Sequence, residues 1–274
     1  MPLTASNNGV QIGALMREWR ARRRRRQMDL ALAVGVSPRH LSFVETGRSR
    51  PSPATLLAMA EELAVPLRER NRMLLAAGYA PRFQERAIAG PEMGVVLQSL
   101  QRLLDAHQPY PGVVLDRHWN VVLGNSAALT LVGLLPAELT APVPNIFRLS
   151  LHPQGMAAIT ANFDEWGRYL LRQLKRLAAG SADEHWTALA AEVMAYPNVA
   201  ALARREPAAP DEAALLVPCA LDLPAGRVSM FTTLTTFGTP RDITLEELCV
   251  ELFYPADESS AALLRAMAAA GPQR

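Results

Sequence analysis

Between residues 37 and 50 the chain gathers side chains suited to touching nucleic-acid bases and phosphates: Ser37, Arg39, His40, Ser42, Phe43, Arg48 and Arg50. An arginine fork donates two parallel hydrogen bonds to guanine, a serine hydroxyl donates or accepts, and a phenylalanine ring packs on a thymine methyl. Arg48 and Arg50, on a following loop, suit phosphate oxygens, which set register without reading sequence. Gln27 opens a helix upstream, where an amide side chain beside unpaired backbone N–H groups suits a phosphate.

Such side chains work only if short helices hold them. Ile12, Leu15, Met16 and Trp19 recur at helical spacing and mark the inner face of a helix running to about Arg24. A second helix covers 27–34 and stops at Gly35, a natural left-handed cap. Ser37-Pro38 starts a third helix to about Thr46, with serine as N-cap and proline at the first helical position. Ser52-Pro53 repeats the signal for 54–64, and 67–77 form a fifth helix ended by Gly78. Leu30, Ala31, Val36, Leu41 and Val44 then bury the contact between the second and third helices. That leaves Arg39, His40, Ser42 and Phe43 on the outer face. The layout is an all-α, five-helix, helix-turn-helix domain over residues 10–80, placing its third helix in a DNA major groove. The competing reading is a five-helix protein-interaction domain with a solvated basic surface.

Charge divides along the chain. Residues 1–90 carry fifteen arginines against seven acidic residues, or +8, whereas 91–274 carry thirteen basic and nineteen acidic residues, or −6. A basic first third fits a polyanionic partner and the acidic remainder would repel one. Arginine is 27 of the 28 basic residues, which a GC-rich coding bias explains. Two isolated cysteines, Cys219 and Cys249, argue against a metal site and fit a reducing cytosol. With no apolar leader and no stretch of about 18 apolar residues, the expectation is a cytoplasmic chain with no membrane partner.

Pro81, Gly90, Pro91 and Gly94 mark a linker, placed at 81–94. Runs at 111–116, 119–124, 214–221, 227–237 and 247–254 read as strands, with helices at 95–107, 126–134, 162–203 and 257–269. Residues 95–270 thus read as an α+β domain, an antiparallel sheet of about five strands with a helical insert and helices on one side. The chain holds no Gly-rich phosphate loop and no GxSxG, so no enzyme, no catalytic residue and no cofactor is expected.

Two resemblances cover nearly the whole chain. Residues 12–80, through LALAVGVSPRHLSFVETGRSRPSP and VPLRERNRMLLAAGYAP, resemble the XRE-type (lambda-repressor-like) DNA-binding domain. That resemblance implies a phosphate contact at Gln27, base-facing Arg39 and Phe43, and a structural Glu45 paired with a nearby arginine. One departure is Arg25-Arg26, where the family usually carries leucine and then Ser or Thr. An arginine in place of an N-cap hydroxyl costs roughly 1 kcal/mol and opposes the helix dipole, but it sits where a DNA phosphate would lie. Residues 95–265, through PGVVLDRHWNVVLGNSAA, NIFRLSLHPQGM, ANFDEWGRYLLRQL, EVMAYP and TFGTPRDITLEELCVELFYPAD, resemble the ligand-binding domain of MmyB-like regulators. This implies a PAS-like fold and a fatty-acid-like ligand, the only bound small molecule expected. Phe147, Met156, Phe163, Trp166 and Tyr169, with Arg148 for a carboxylate, are the residues that would line such a site; plain core packing explains the same stripe. The expected protein is a homodimeric regulator on double-stranded operator DNA that senses a small apolar ligand. The alternative is a second domain that only dimerises.

Overall fold

The computed structural model describes residues 5–180, 183–205 and 215–270. Its first five helices are α1 Ala5–Arg22, α2 Gln27–Ala33, α3 Pro38–Glu45, α4 Pro53–Glu62 and α5 Leu67–Ala76. Next come α6 Gly94–Ala106, β1 Gly112–Leu115, β2 Val121–Gly124, α7 Ser126–Val132, α8 Ala137–Thr140 and α9 Ile146–Leu151. The chain continues through α10 Phe163–Gly180, α11 Glu184–Met194, α12 Pro197–Arg204, β3 Cys219–Leu223 and β4 Gly226–Thr236. It finishes with α13 Ile243–Glu247, β5 Cys249–Pro255 and α14 Glu258–Ala270. These elements form two units, Met1–Ile88 with Gly238–Glu246, and Ala89–Phe237 with Glu247–Arg274.

In the first unit the serine caps do the work their positions imply. Ser37 Oγ accepts from His40 N and Ser52 Oγ from Thr55 N, each at 3.1 Å, with proline opening both helices. Gly35 turns α2 into α3 at φ 70°, with open space where a Cβ would stand, so backbone conformation alone demands glycine there. Ile12, Met16, Leu30, Leu41, Leu56, Met59 and Met73 fill the core. At Gly13 a Cβ would sit 2.6 Å from the Glu45 carbonyl oxygen, so α1 crosses α3 at backbone contact. The first helix ends two residues short of Arg24, which takes φ 51° as the chain turns toward α2.

Residues 238–246 belong to this unit although they lie far along the chain. Asp242 bridges to Gln84, pairs with Arg86 Nη1 at 2.8 Å, and accepts from Thr244 N at 2.9 Å. Thr244 Oγ1 donates to the Arg86 carbonyl oxygen at 2.6 Å. Glu246 Oε2 accepts from Leu67 N at 2.6 Å, supplying the N-terminus of α5 with an acceptor where Pro66 offers no side-chain cap.

In the second unit the five strands form one antiparallel sheet in the order β2-β1-β5-β4-β3. Register sets Glu251 opposite both Val113 and Leu234, and Thr232 opposite Phe253. Alternation then puts Val113, Leu115, Met230, Glu251 and Phe253 on one face and Gly112, Val114, Leu252 and Tyr254 on the other. The helical insert packs on the first face, through Phe147, Trp166, Leu170, Trp186 and Val199. The other face meets α6, where a Cβ on Gly112 would stand 3.0 Å from Leu104 and from Leu252. Helices therefore cover both faces, not one, because the alternating strands are apolar on both. The helical run expected over 162–203 is three helices, with Pro197 opening the last. The strand expected from 214 begins at Cys219, after Pro218, which has no N–H for the ladder; residue 214 itself lies outside the described residues.

Candidate nucleic-acid interface and ligand site

On α3, Leu41, Val44 and Glu45 are buried, which fixes the helix rotation. Arg39 is exposed on the opposite side and its guanidinium lies 5.3 Å from the Phe43 ring centre. This i, i+4 stacking holds the fork upright over an apolar base. Ser42 is half-buried on the same face, and His40 is half-buried toward one flank. Ser37 is exposed but its hydroxyl is engaged as the N-cap. Thr46 completes the outer face seven residues after Arg39, a position the helical spacing could have flagged; its hydroxyl donates to Ser42 O at 2.8 Å.

Beneath this face lies a hub around Glu45, which is 3% exposed. Its carboxylate accepts from Arg20 Nε at 2.7 Å, from Arg20 Nη2 at 3.1 Å and from Gln27 Nε2 at 2.9 Å. The hydrogen bond to Glu45 raises Arg20 above the ordinary arginine value. Arg20 is thus the arginine partner of Glu45, and the Gln27 amide is turned inward onto the same carboxylate. Arg48 is exposed. Arg50 lies 3.9 Å over the Tyr79 ring and donates to Gly78 O at 2.8 Å, so its side chain is braced against the fifth helix's exit.

The arginine run upstream is divided in its employment. Arg22 bonds Glu18 at 2.6 Å, Arg23 donates to Leu63 O and Ala64 O at the end of α4, and Arg25 pairs with Glu62. Arg26 occupies the N-cap of α2 with no side-chain cap bond, leaving that helix start without the usual acceptor.

In the second unit Phe147 is fully buried, 5.0 Å from Trp119 and 6.1 Å from Trp186. Trp166 stacks on Tyr169 at 5.1 Å, and Met156, Phe163 and Tyr169 pack against the same core. The structure brings these five together. Arg148 leaves them: its Nε and Nη2 fork onto Glu192 at 2.8 and 2.7 Å, and Tyr196 Oη donates to the same carboxylate at 2.7 Å. The fork holds Glu192 below the usual carboxylate range, and burial beside Glu192 pushes the Tyr196 hydroxyl up. A cleft between α7 and α14, edged by Pro109, Ser126, Leu131, Leu264 and Met267, holds about 50 Å³.

Two groups carry chemistry that spacing did not single out. Glu251, midway along the central strand, has a buried Oε2 without a hydrogen-bond partner, and burial raises it to about 7. His118 Nε2 lies 2.8 Å from Asp183, and its ring stacks on His185 at 3.9 Å. The His118 hydrogen bond lowers Asp183, whereas burial lowers His185. Burial pushes Cys219 up to about 12 and Cys249 to about 11, which makes both poor nucleophiles.

Among the described residues no group of three or more His, Cys, Asp or Glu side chains could hold a metal, and no helix is long and apolar enough to cross a membrane. Residues 96–267 match the family model of the MmyB-like transcription regulator ligand binding domain, and residues 11–73 match a helix-turn-helix domain model. Among solved structures, the clp gene regulator ClgR from Corynebacterium glutamicum is 24% identical over 37% of this chain and 95% of that one, with a TM-score of 0.23. No curated protein matches the chain.

Proposed function

Because the chain belongs to the MmyB-like transcription regulators and carries a helix-turn-helix head, we propose that it is a cytoplasmic homodimer that reads a near-palindromic operator. In this reading its second unit takes a small apolar, fatty-acid-like ligand. The observation that carries the DNA half is the outer face of α3, where Arg39 stands exposed over Phe43 while Glu45 is locked below by Arg20 and Gln27. Arg39, Ser42 and Phe43 read base edges, His40 flanks them, and Ser37 and Gln27 hold the helix starts near phosphates. Arg48 takes a phosphate directly, and Arg50 does so from its brace on Tyr79. A dimer spaces two such helices about 34 Å apart, one DNA turn. Operator selection from a random duplex pool tests this; enrichment of an inverted repeat supports it, and binding without sequence preference sinks it.

The ligand half rests on the family and on the aromatic core around Phe147, Met156, Phe163, Trp166 and Tyr169, with Arg148 as the headgroup partner. Ligand sites occupy about 300–1,000 Å³; the cleft between α7 and α14 holds about 50 Å³ and is edged by none of these six residues, so in this reading an acyl chain enters only where the aromatic core itself opens. A ligand then acts through the difference in its affinity for two arrangements. The 81–94 linker is one of three places where the chain passes between the units; the others flank Gly238–Glu246, at the ends of β4 and β5. A specific observation favours the second reading, a domain that only dimerises: Glu192 already saturates the Arg148 fork. Native mass spectrometry of freshly purified protein separates the two, since co-purified lipid or a ligand-shifted operator affinity supports sensing and neither supports dimerisation alone.

A further inference from the structure

Strand β4 is longer than its neighbour on one side. It pairs with β5 from Met230 to Thr236, but β3 covers it only from Gly226 to Met230. Among the described residues no strand pairs with β4 beyond Met230 on the β3 side, so from Phe231 onward the sheet has an open edge. Alternate residues of such an edge present unpaired N–H and C=O groups outward. Folded proteins guard long open edges with charge, proline or a bulge. The segment here is Phe-Thr-Thr-Leu-Thr-Thr-Phe, residues 231–237, with none of these. Residues 233–237 are exposed, including Leu234 at 46% and Phe237 at 36%.

The segment is also a palindrome about Leu234. When two copies of a strand pair antiparallel about a two-fold axis, each residue meets the one equally far from the centre. Centred on Leu234, that pairing sets Leu234 opposite its own copy, Thr232 opposite Thr236, Thr233 opposite Thr235 and Phe231 opposite Phe237. Every cross-strand pair is then like with like, Leu with Leu at the axis and Thr with Thr or aromatic with aromatic around it, and the last two kinds are pairings that stabilise sheets. The two ends also fit. Beyond Phe237 a paired copy would collide with β3, which opposite Met230 starts at Cys219, and there Gly238 and Thr239 bend the chain away. The free edge is thus seven residues, roughly 23 Å, the length of the palindrome.

We infer that the open edge of β4, residues 231–237, is the dimer interface: it pairs antiparallel with the same segment of a second copy, joining the two sheets into one of ten strands about an axis through Leu234. This rests on the homodimer reading above and names its surface. A self-complementary patch is what a closed two-fold dimer requires.

The test uses the full chain and charge pairs at exposed positions away from Glu251. Thr233→Lys with Thr235→Lys, and separately Thr233→Glu with Thr235→Glu, place like charges opposite one another across the axis, which disfavours pairing. Sedimentation equilibrium should show the wild type dimeric and each variant about tenfold or more weaker in self-association. An equimolar mixture should regain a dimer containing one of each, a recovery that a misfolded variant could not give. Variants that dimerise like the wild type, or a mixture that stays monomeric, overturn the interface while leaving the dimer reading intact. A wild type that is monomeric on and off DNA overturns both.

Discussion

At the scale of single residues, employment within the fold separates otherwise equivalent arginines. Arg20, Arg23 and Arg25 serve a carboxylate, two carbonyls and a second carboxylate, whereas among the described residues Arg39 is engaged through its stacking on Phe43. Arg39→Ala should therefore leave the melting temperature unchanged, weaken operator binding by about 1–3 kcal/mol and relax preference at one base pair. Equal losses on specific and random duplexes would place Arg39 on phosphate instead. Arg26 is the opposite case, a helix start left without a cap. Arg26→Ser should stabilise the first unit by about 1 kcal/mol and flatten the salt dependence of binding by up to about 0.9 in log–log slope, the value of one lost phosphate contact. An unchanged slope would show that Arg26 touches no phosphate.

At the scale of elements, the central strand β5 holds a carboxyl group in an apolar sheet. The groups that bear on Glu251 are the Thr232 hydroxyl, which favours its ionised form, and Cys219 and Cys249, both raised by burial and by Glu251 itself. Burial raises Glu251 to about 7, so the folded unit keeps a proton that the unfolded chain releases near the usual 4.3. The folded state binds more protons between these values. Stability is therefore greatest below about pH 4.3 for this group, falls as pH rises through about 7, and then levels off. Glu251→Gln should remove that slope, worth about 4 kcal/mol in all, from a plot of melting temperature against pH. A slope that survives the substitution would assign it to another group; His185 is not that group, because burial lowers it and its contribution to stability rises with pH.

At the scale of the molecule, the first unit is not a contiguous stretch of chain. Residues 238–246 complete it, with Asp242 only 3% exposed and holding Arg86 and the N–H of Thr244. Asp242→Ala should strip these partners, cost the first unit about 2–3 kcal/mol, and speed amide exchange in α5, whose first N–H is held by Glu246 of the same segment. DNA affinity should fall with it while unfolding of the second unit is unchanged. If exchange in α5 does not change, residues 238–246 lie against the unit without supporting it.

Local rules made the helix-turn-helix legible from the sequence alone. Caps, turn glycines and helical periodicity act over a few residues, so Ser37, Gly35 and the apolar set from Ile12 to Val44 declared the helices and the outward position of Arg39, Ser42 and Phe43. The five strands were legible for the same reason, though not their order or which face each helix covers. Partners distant in sequence were decided only by tertiary structure. Gln27 is drawn inward by a carboxylate 18 residues away, Arg148 is claimed by Glu192 from 44 residues away, and Asp242 reaches Arg86 across 156. A charged side chain takes whichever counter-charge the fold brings within reach, and no local pattern encodes that. The open edge of β4 has the same origin: the palindrome is in the sequence, but only the shortness of β3 leaves it unpaired.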